Sequence, residues 1–311
     1  MRVALMIEGQ EGVTWEQWLA IARACEESGV EALFRSDHYS GFHGGADGAL
    51  DAWATLAALA ARTEKLRLGT LVSPGTFRHP SVFAKNAVSV DHVSGGRVEL
   101  GMGAGWHEAE HIQHGFEFRD RSWRLSRFRE QLEIVYRQLN ENEPFDFRGD
   151  HYTLEGSNPL PKPVQRPLPI LVGGAAKRGT AEPAVRFASE YNTTFADVDE
   201  CRRRRAALDR FCTEAGRDPA TLPLSLMTSC IVGRDRGELD ERRRRLAERL
   251  GRPLDEVEGS RRAISGTVGE VAERLREYEQ AGVTRVMCQH LLHDDLDVIA
   301  LLGREVAPAV A

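Results

Sequence analysis

Eight short apolar segments, separated by helical patterns, constrain this chain more than any other feature of its sequence. Near-continuous apolar segments that alternate with helices are typical of parallel strands buried on both faces of a sheet. Eight such units in 311 residues favour a closed (β/α)₈ barrel, the TIM barrel, over an open sheet. The predicted strands cover residues 3–7, 32–35, 66–73, 98–102, 170–172, 192–195, 222–232 and 285–289.

Two stretches interrupt the alternation and predict insertions into the barrel. Residues 144–158 are rich in strand-forming residues and predict a β-rich excursion. Residues 234–262 are rich in Arg and Glu and poorly periodic, which indicates an inserted helical segment. Since the chain contains no linker-like or low-complexity run, we expect one barrel domain over residues 1–311.

Composition and charge narrow the classes of function. The chain is 41% apolar and 28% charged, as is usual for a globular protein, and its net charge of −6 argues against a nucleic-acid partner. No apolar run approaches the ~20 residues of a membrane span, and Glu8 ends the first one. The five cysteines form no C-x-x-C pair and are expected to be reduced. We therefore expect a cytoplasmic protein without membrane contact.

A glycine-rich turn points to an anionic ligand. Residues 66–111 predict a β-α-β unit whose second strand runs into Gly103-Ala104-Gly105, the 103–105 turn, ahead of a helix start. Backbone N–H groups converge at such a turn and can bind a phosphate. Because barrel active sites lie at the carboxyl ends of the strands, the segment predicts a phosphate-bearing cofactor at that end.

A histidine at the end of the second predicted strand is the candidate acid–base group. His38 follows Asp37, and an imidazole titrates near neutral pH, as general acid–base chemistry requires. A loop histidine with a structural hydrogen bond is the alternative that the residues alone leave open. Trp106, next to the 103–105 turn, and Phe42, in the glycine-rich loop after Tyr39, are candidates for substrate contact.

One motif suggests a different enzyme class. Residues 107–111 satisfy H-E-x-x-H, in which two histidines on one helix face bind zinc and Glu108 acts as the base of a peptidase. Here the motif starts directly after a glycine turn, and no third ligand stands at the usual spacing. We interpret it as a solvated helix start, where acidic residues favour the N-terminal dipole, and expect no metal.

Several motifs, in order and spacing, resemble the luciferase-like flavin-dependent oxidoreductase family from end to end. Within it, the pattern is most similar to the branch that uses coenzyme F420, a deazaflavin with a phosphorylated, oligoglutamyl tail. The matching segments are Ser36-Asp37-His38-Tyr39, residues 69–72 with 76–80, residues 94–98, residues 101–106 with Glu110-His111, residues 147–152, and residues 161–167 with 170–174.

The resemblance implies a (β/α)₈ fold and a set of site residues. His38 would act in proton transfer near the reactive carbon of the deazaflavin, and Asp37 would orient it or lie beside the ring. The segment Leu71-Val72 matches a place where the family carries a non-prolyl cis peptide against the ring. The remaining implied cofactor contacts are Gly103, Ala104 and Gly105, which would bind the phosphate, and Gly173, Gly174 and Ala175, which would line the opposite part of the cleft.

Two departures limit what the resemblance implies. The branch that oxidises glucose 6-phosphate has a Glu directly after the glycine turn, where this chain has Trp106. After the fifth strand the family often shows Gly-Gly-Ser-Gly, whereas this chain has Gly173-Gly174-Ala175-Ala176 and lacks that hydroxyl. Because of Trp106, the sugar-phosphate activity is not expected here, and the missing hydroxyl removes one possible hydrogen bond to the cofactor.

The predicted activity is hydride transfer between F420 and a small organic substrate. The alternative is a monooxygenase that uses reduced FMN from a separate flavin reductase, with His38 assisting. Two further hypotheses come from other functional classes: a metallopeptidase and a non-catalytic flavin-binding relative. The intact His38 argues against the non-catalytic relative. The family also implies that a homodimer is common.

Overall fold

The structure is a computed structural model that describes residues 1–41, 48–258 and 262–311. Its strands are β1 (Arg2–Ile7), β2 (Ala32–Arg35), β3 (Arg67–Thr70), β4 (Ser73–Pro74), β5 (Val98–Gly103), β6 (Phe145–Arg148), β7 (Thr153–Ser157), β8 (Ile170–Gly173), β9 (Glu190–Thr194), β10 (Leu224–Gly233), β11 (Ile264–Thr267) and β12 (Val283–Gln289).

The helices alternate with these strands. They are α1 (Trp15–Ser28), α2 (Ala52–Ala60), α3 (Pro80–Ser94), α4 (Glu108–His114), α5 (Arg121–Asn140), α6 (Arg178–Phe187), α7 (Val198–Glu214), α8 (Arg236–Leu250), α9 (Leu254–Glu258), α10 (Val268–Gln280), α11 (Leu296–Leu301) and α12 (Ala307–Ala309). A 3₁₀ turn covers Pro219–Thr221, and a π-helical turn, Leu302–Val306, joins α11 to α12.

Parallel strands close into the predicted barrel. Their order is β1-β2-β3-β5-β8-β9-β10-β12, and β12 pairs again with β1. In this register Leu5 of β1 lies beside Leu33 of β2 on one side and Cys288 of β12 on the other. The (β/α)₈ fold expected from the sequence is confirmed, and the carboxyl ends of the barrel strands form its mouth.

Local signals fix where the helices begin and end. Thr14 and Gln17 form a reciprocal capping box at the start of α1, and Gly29 ends that helix with a φ of 80°. Pro80 occupies the first turn of α3, where its missing N–H costs nothing, and Gly95 ends it with a φ of 66°.

Alternate residues of each barrel strand face two different cores. Along β2, Leu33 packs outward against the helices, whereas Phe34 points into the barrel. The inner apolar layer contains Ala4, Met6, Ala32, Phe34, Leu71, Leu171, Met227 and Met287. The outer core is the larger of the two and joins the strands to the surrounding helices.

An ion network lies inside the barrel near the amino ends of the strands. The fully buried Arg285 of β12 places Nη2 2.7 Å from Glu99 Oε2 and 2.8 Å from Glu190 Oε2. Arg67 Nε lies 2.6 Å from Glu99 Oε1. Burial raises the pKa of Glu190, whereas the arginines outweigh the effect of burial at Glu99 and lower its pKa.

The insertions and some strand limits differ in detail from the sequence expectation. The β-rich excursion is the antiparallel hairpin β6-β7, and the described part of the Arg/Glu-rich stretch forms α8 and α9. Strand β11 pairs with β10 outside the ring. The sequence pattern does not predict this strand, because it has only four residues and contains Gly266. The strand predicted over residues 66–73 is two strands, β3 and β4.

No helix within residues 1–41, 48–258 and 262–311 is long and apolar enough to cross a membrane. The cytoplasmic location remains a prediction.

Replacing Arg285 should destabilise the barrel strongly. We expect Arg285→Met to lower the free energy of unfolding by about 3–5 kcal/mol, because it leaves Glu190 buried without a cation and Glu99 with Arg67 alone. Urea denaturation followed by circular dichroism measures the loss. The matched control is Arg148→Ala, whose ion pair with Glu155 is 73% exposed on both sides and should contribute below ~1 kcal/mol. Equal stability of Arg285→Met and wild type would contradict the role given to the network.

Candidate functional site

His38 lies just beyond β2, at the mouth of the barrel. Its side chain is 12% exposed, and its Nδ1 lies 2.8 Å from Oε2 of Glu110 on α4. The indole of Trp106 meets the imidazole edge to face, with ring centroids 6.0 Å apart. His38 therefore combines a buried carboxylate partner on one side with an aromatic wall on another.

Glu110 is fully buried and receives several donors from the loop after β2. Its Oε1 accepts hydrogen bonds from the backbone N–H groups of Tyr39 and Ser40. Burial raises the pKa of Glu110, but the interaction with His38 and these two amides outweigh it, so the pKa is lowered overall. The sequence contained Glu110 in a family motif but gave no sign that His38 is its partner.

Asp37, which the resemblance implies would orient His38 or lie beside the ring, binds Arg78 and Ser73 in the structure. Its carboxylate accepts from both Nη atoms of Arg78 and from the hydroxyl of Ser73, and it is 1% exposed. Arg78 also reaches Asp51, which caps α2. Successive residues of an extended chain point to opposite sides, so Asp37 faces this network while His38 faces Glu110.

The Leu71-Val72 peptide bond is cis, as the resemblance implies. Val72 occupies the space above three glycines at the ends of neighbouring strands. A Cβ at Gly103 would lie 2.6 Å from Val72 Cγ2, and Cβ atoms at Gly101 and Gly173 would lie 3.1 and 3.3 Å from Val72 methyl groups. Gly103 and Gly173 therefore leave room for Val72, whereas Gly101 is required first by the backbone oxygen of Thr70, 1.9 Å from such a Cβ.

The 103–105 turn follows β5 as predicted, but its surroundings are not those of a simple anion cradle. Gly105 has a φ of 78°, and a Cβ there would lie 2.6 Å from the hydroxyl of Thr76, so the turn itself requires glycine. The helix that follows, α4, begins at Glu108 and carries a second acid, Glu110, in its first turn. Two carboxylates at a helix start disfavour a phosphate.

The 173–176 turn, Gly173-Gly174-Ala175-Ala176, leads into a helix start of the opposite charge. Lys177 precedes α6 without a side-chain cap, and Arg178 begins the helix, whose first turn has no acidic residue. Ala176 donates its N–H to the hydroxyl of Tyr191 at 2.9 Å. Gly174 likewise donates its N–H to the backbone oxygen of Asn192, so two amides of the turn are already engaged. The charges at this helix start nevertheless suit a phosphate better than those at the start of α4.

A second polar network lies at the mouth on the side of β1 and β12. Glu8, 9% exposed, accepts from the amide of Gln10 at 2.9 Å and from that of Gln289 at 2.8 Å. Ser36 and Ser229 extend the network to β2 and β10. The sequence placed Glu8 and Gln289 at strand ends, but only closure of the barrel brings them together.

Of the two residues predicted to contact substrate, Trp106 is among those that the structure describes. Trp106 is 64% exposed at the mouth and stacks obliquely on His107, with ring centroids 5.0 Å apart. Phe42 lies outside the residues that the structure describes. Trp106 is therefore exposed at the mouth and in contact with the ring of His38.

The H-E-x-x-H motif has a structural role at its last residue. The buried His111 contacts the backbone oxygen of His107 through Nδ1 and the hydroxyl of Thr76 through Nε2, each at 2.6 Å. Both ring nitrogens of His111 are thus engaged by the protein. Among the described residues, no group of three His, Cys, Asp or Glu side chains is arranged to hold a metal ion.

Two concave sites lie near α8. A cavity of about 20 Å³, bounded by Cys230, Arg242 and His290 among others, has room for little more than a water molecule. A groove of about 510 Å³ between α8 and the loop before α11 is lined by acidic side chains with Arg242 and Arg245. Its acids make it a poor site for a phosphorylated cofactor.

Comparison with known proteins gives relatives with two different cofactors. The chain is 36% identical to an uncharacterised protein of Mycobacterium tuberculosis over 150 residues. This match covers 48% of this chain and 52% of the relative, so the chain spans about half of that relative's length. It is 27% identical over 91% of its length to an F420-dependent glucose-6-phosphate dehydrogenase of Microbacterium testaceum, 90% of which is covered. An FMNH₂-dependent dimethylsulfone monooxygenase of Pseudomonas putida is 31% identical over 60% of this chain and 53% of the relative.

Solved structures and a family model agree on the fold. Monooxygenase RslO1 from Streptomyces bottropensis matches with a TM-score of 0.85 at 23% identity, and the coenzyme F420-dependent tetrahydromethanopterin reductase from Methanopyrus kandleri with 0.81 at 20% identity. Both matches cover 100% of both chains. The family model for luciferase-like monooxygenases matches residues 2–285, so this chain belongs to the luciferase-like monooxygenase family.

Proposed function

We propose that this chain is an oxidoreductase that transfers a hydride between coenzyme F420 and a small organic substrate. The observation that carries the proposal is the pair of His38 and Glu110, a histidine held by a buried carboxylate beside the exposed Trp106 at the barrel mouth. The matches to F420-dependent dehydrogenases support it, because they extend over more of the chain than the match to the FMNH₂-dependent relative.

The residues at the mouth suit a phosphorylated deazaflavin. The start of α6, which has no side-chain cap, offers its first N–H groups and the side chains of Lys177 and Arg178 to a phosphate, although Arg178 also pairs with Glu182. We assign the cis Leu71-Val72 segment and the 103–105 turn to the walls around the ring system. A bound deazaflavin supplies hydride chemistry and leaves proton transfer, orientation and exclusion of water to the protein.

His38 is the group that exchanges a proton with the substrate. Oxidation of an alcohol to a carbonyl releases a proton from the hydroxyl, and the reverse reaction requires one, so a histidine at the mouth can serve both directions. Trp106 forms an apolar wall next to it and favours substrates with an apolar body. Trp106 stands where the sugar-phosphate branch has its acid, so we propose an uncharged alcohol or carbonyl compound as the substrate class.

The cofactor preference tests the proposal directly. We expect purified protein to bind F420 more tightly than FMN, and fluorescence titration of the two ligands measures the ratio. Micromolar or tighter FMN binding without detectable deazaflavin binding would contradict the proposal. That outcome would favour the reduced-FMN monooxygenase, with a separate flavin reductase as its partner.

Replacing His38 should affect turnover far more than cofactor binding. We expect both His38→Ala and His38→Asn to lower kcat by ~100-fold or more while the dissociation constant of F420 changes only a few-fold. The Asn variant keeps a donor for Glu110 and so controls for disturbance of the loop. Turnover is followed by deazaflavin absorbance with the compound that wild type converts fastest in a panel of small alcohols and ketones. Wild-type kcat in either variant would remove His38 from the reaction.

The phosphate assignment predicts an effect that depends on the ligand. Removing two charges in Lys177→Ala/Arg178→Ala should weaken F420 binding by about 10-fold at low salt, because each cation contributes roughly 0.5–1 kcal/mol near an anion. The deazaflavin without phosphate and tail should bind both proteins alike in fluorescence titration. Arg202→Ala/Arg203→Ala, which removes two exposed cations from α7, controls for net charge. Equal weakening of both ligands would reject the assignment.

A further inference from the structure

We propose that Glu110 is a positioning residue that holds His38 as the tautomer with its proton on Nδ1, leaving the proton-accepting lone pair on Nε2. The contact between His38 Nδ1 and Glu110 Oε2, 2.8 Å long, joins the end of β2 to helix α4. The importance of this tautomer for turnover rests on the proposed function of His38, whereas the tautomer itself does not.

The chemistry of the two groups determines which atom donates. An ionised carboxylate can only accept hydrogen bonds, and a neutral imidazole has one N–H group and one acceptor nitrogen. The pKa of Glu110 is lowered, so its carboxylate is ionised at neutral pH. Nδ1 of His38 must then be the donor, and a carboxylate in this position also fixes the plane of the ring.

Other contacts prevent the carboxylate of Glu110 from rotating away. While Oε2 contacts His38, Oε1 accepts from the backbone N–H groups of Tyr39 and Ser40. The hydroxyl of Ser40 also donates to Gln113 Oε1, one turn further along α4, at 2.5 Å. The loop that carries His38 is therefore bound to α4 at consecutive residues, and Glu110 has one orientation.

The neighbouring acid cannot substitute for Glu110. Asp37 is engaged by the guanidinium of Arg78 and by Ser73, which holds its carboxylate on the other side of the chain. Glu108, in the first turn of α4, is exposed and makes no contact with His38 among the hydrogen bonds of the described residues. Within the described residues, Glu110 is the carboxylate placed to select the tautomer.

Glu110→Gln gives a test that changes one proton. The Gln side chain can keep Oε1 as the acceptor for Tyr39 and Ser40, but it places an NH₂ donor where Oε2 accepted from His38. We expect the imidazole to change to the Nε2–H tautomer, which ¹⁵N chemical shifts of the histidine ring report in cofactor-free protein. We also expect kcat to fall by about 10-fold or more with little change in KM, since the acceptor nitrogen is then misplaced.

Glu108→Gln is the matched control, because it removes a carboxylate from the same turn without touching His38. It should keep the Nδ1–H tautomer and the wild-type kcat. A wild-type spectrum with the proton on Nε2 would overturn the proposal even if Glu110→Gln failed to fold. Retention of the Nδ1–H tautomer in Glu110→Gln, or equal kcat in the two variants, would overturn it as well. Binding of FMN instead of F420 would contradict the proposed function and leave the tautomer result standing.

Discussion

The ion network of Arg285 is the constraint on which the barrel depends. Arg285 belongs to β12 and Glu99 to β5, which lie on opposite sides of the closed ring, so their contact spans the interior. A buried ion pair is weak evidence for stability, because desolvation offsets much of the attraction. Its stronger effect is on register. A slip of β12 by one residue would turn Arg285 outward among apolar side chains, and it would leave Glu190 without a cation and Glu99 with Arg67 alone inside the barrel.

This arrangement gives the two ends of the barrel different chemistry. At the amino ends, full charges neutralise one another and fill the interior around the ring of Phe34, which lies 5.1 Å from the guanidinium of Arg285. At the mouth, the buried Glu8 is held by neutral amides of Gln10 and Gln289. The first end is filled by paired charges, whereas the second places polar groups at the mouth, where ligands bind in this fold.

The sequence predicted the fold well because its strongest signals are local. Apolar strands, the capping box of Thr14 with Gln17, and Gly29 after α1 all act within a few residues of the chain. The partner of His38 could not be predicted in this way. Asp37 is its neighbour in the chain, yet Glu110, 72 residues away, is its neighbour in space. The contact depends on how α4 lies over the loop after β2, which no short motif encodes. The single domain and the dimer stay predictions.

The glycines at the mouth show why a motif and its function must be argued separately. From the sequence, the 103–105 turn is predicted to be a phosphate cradle, because glycines allow close approach of a ligand. In the structure, Gly103 makes room for Val72, and Gly105 for Thr76, so the protein itself requires them. Absence of a side chain therefore does not distinguish a cradle from tight packing. Charge does distinguish them, since α4 begins with Glu108 and Glu110 and α6 begins with Arg178 after Lys177. These charges favour the proposed phosphate position at the second helix start over the first, although the glycine pattern points to both.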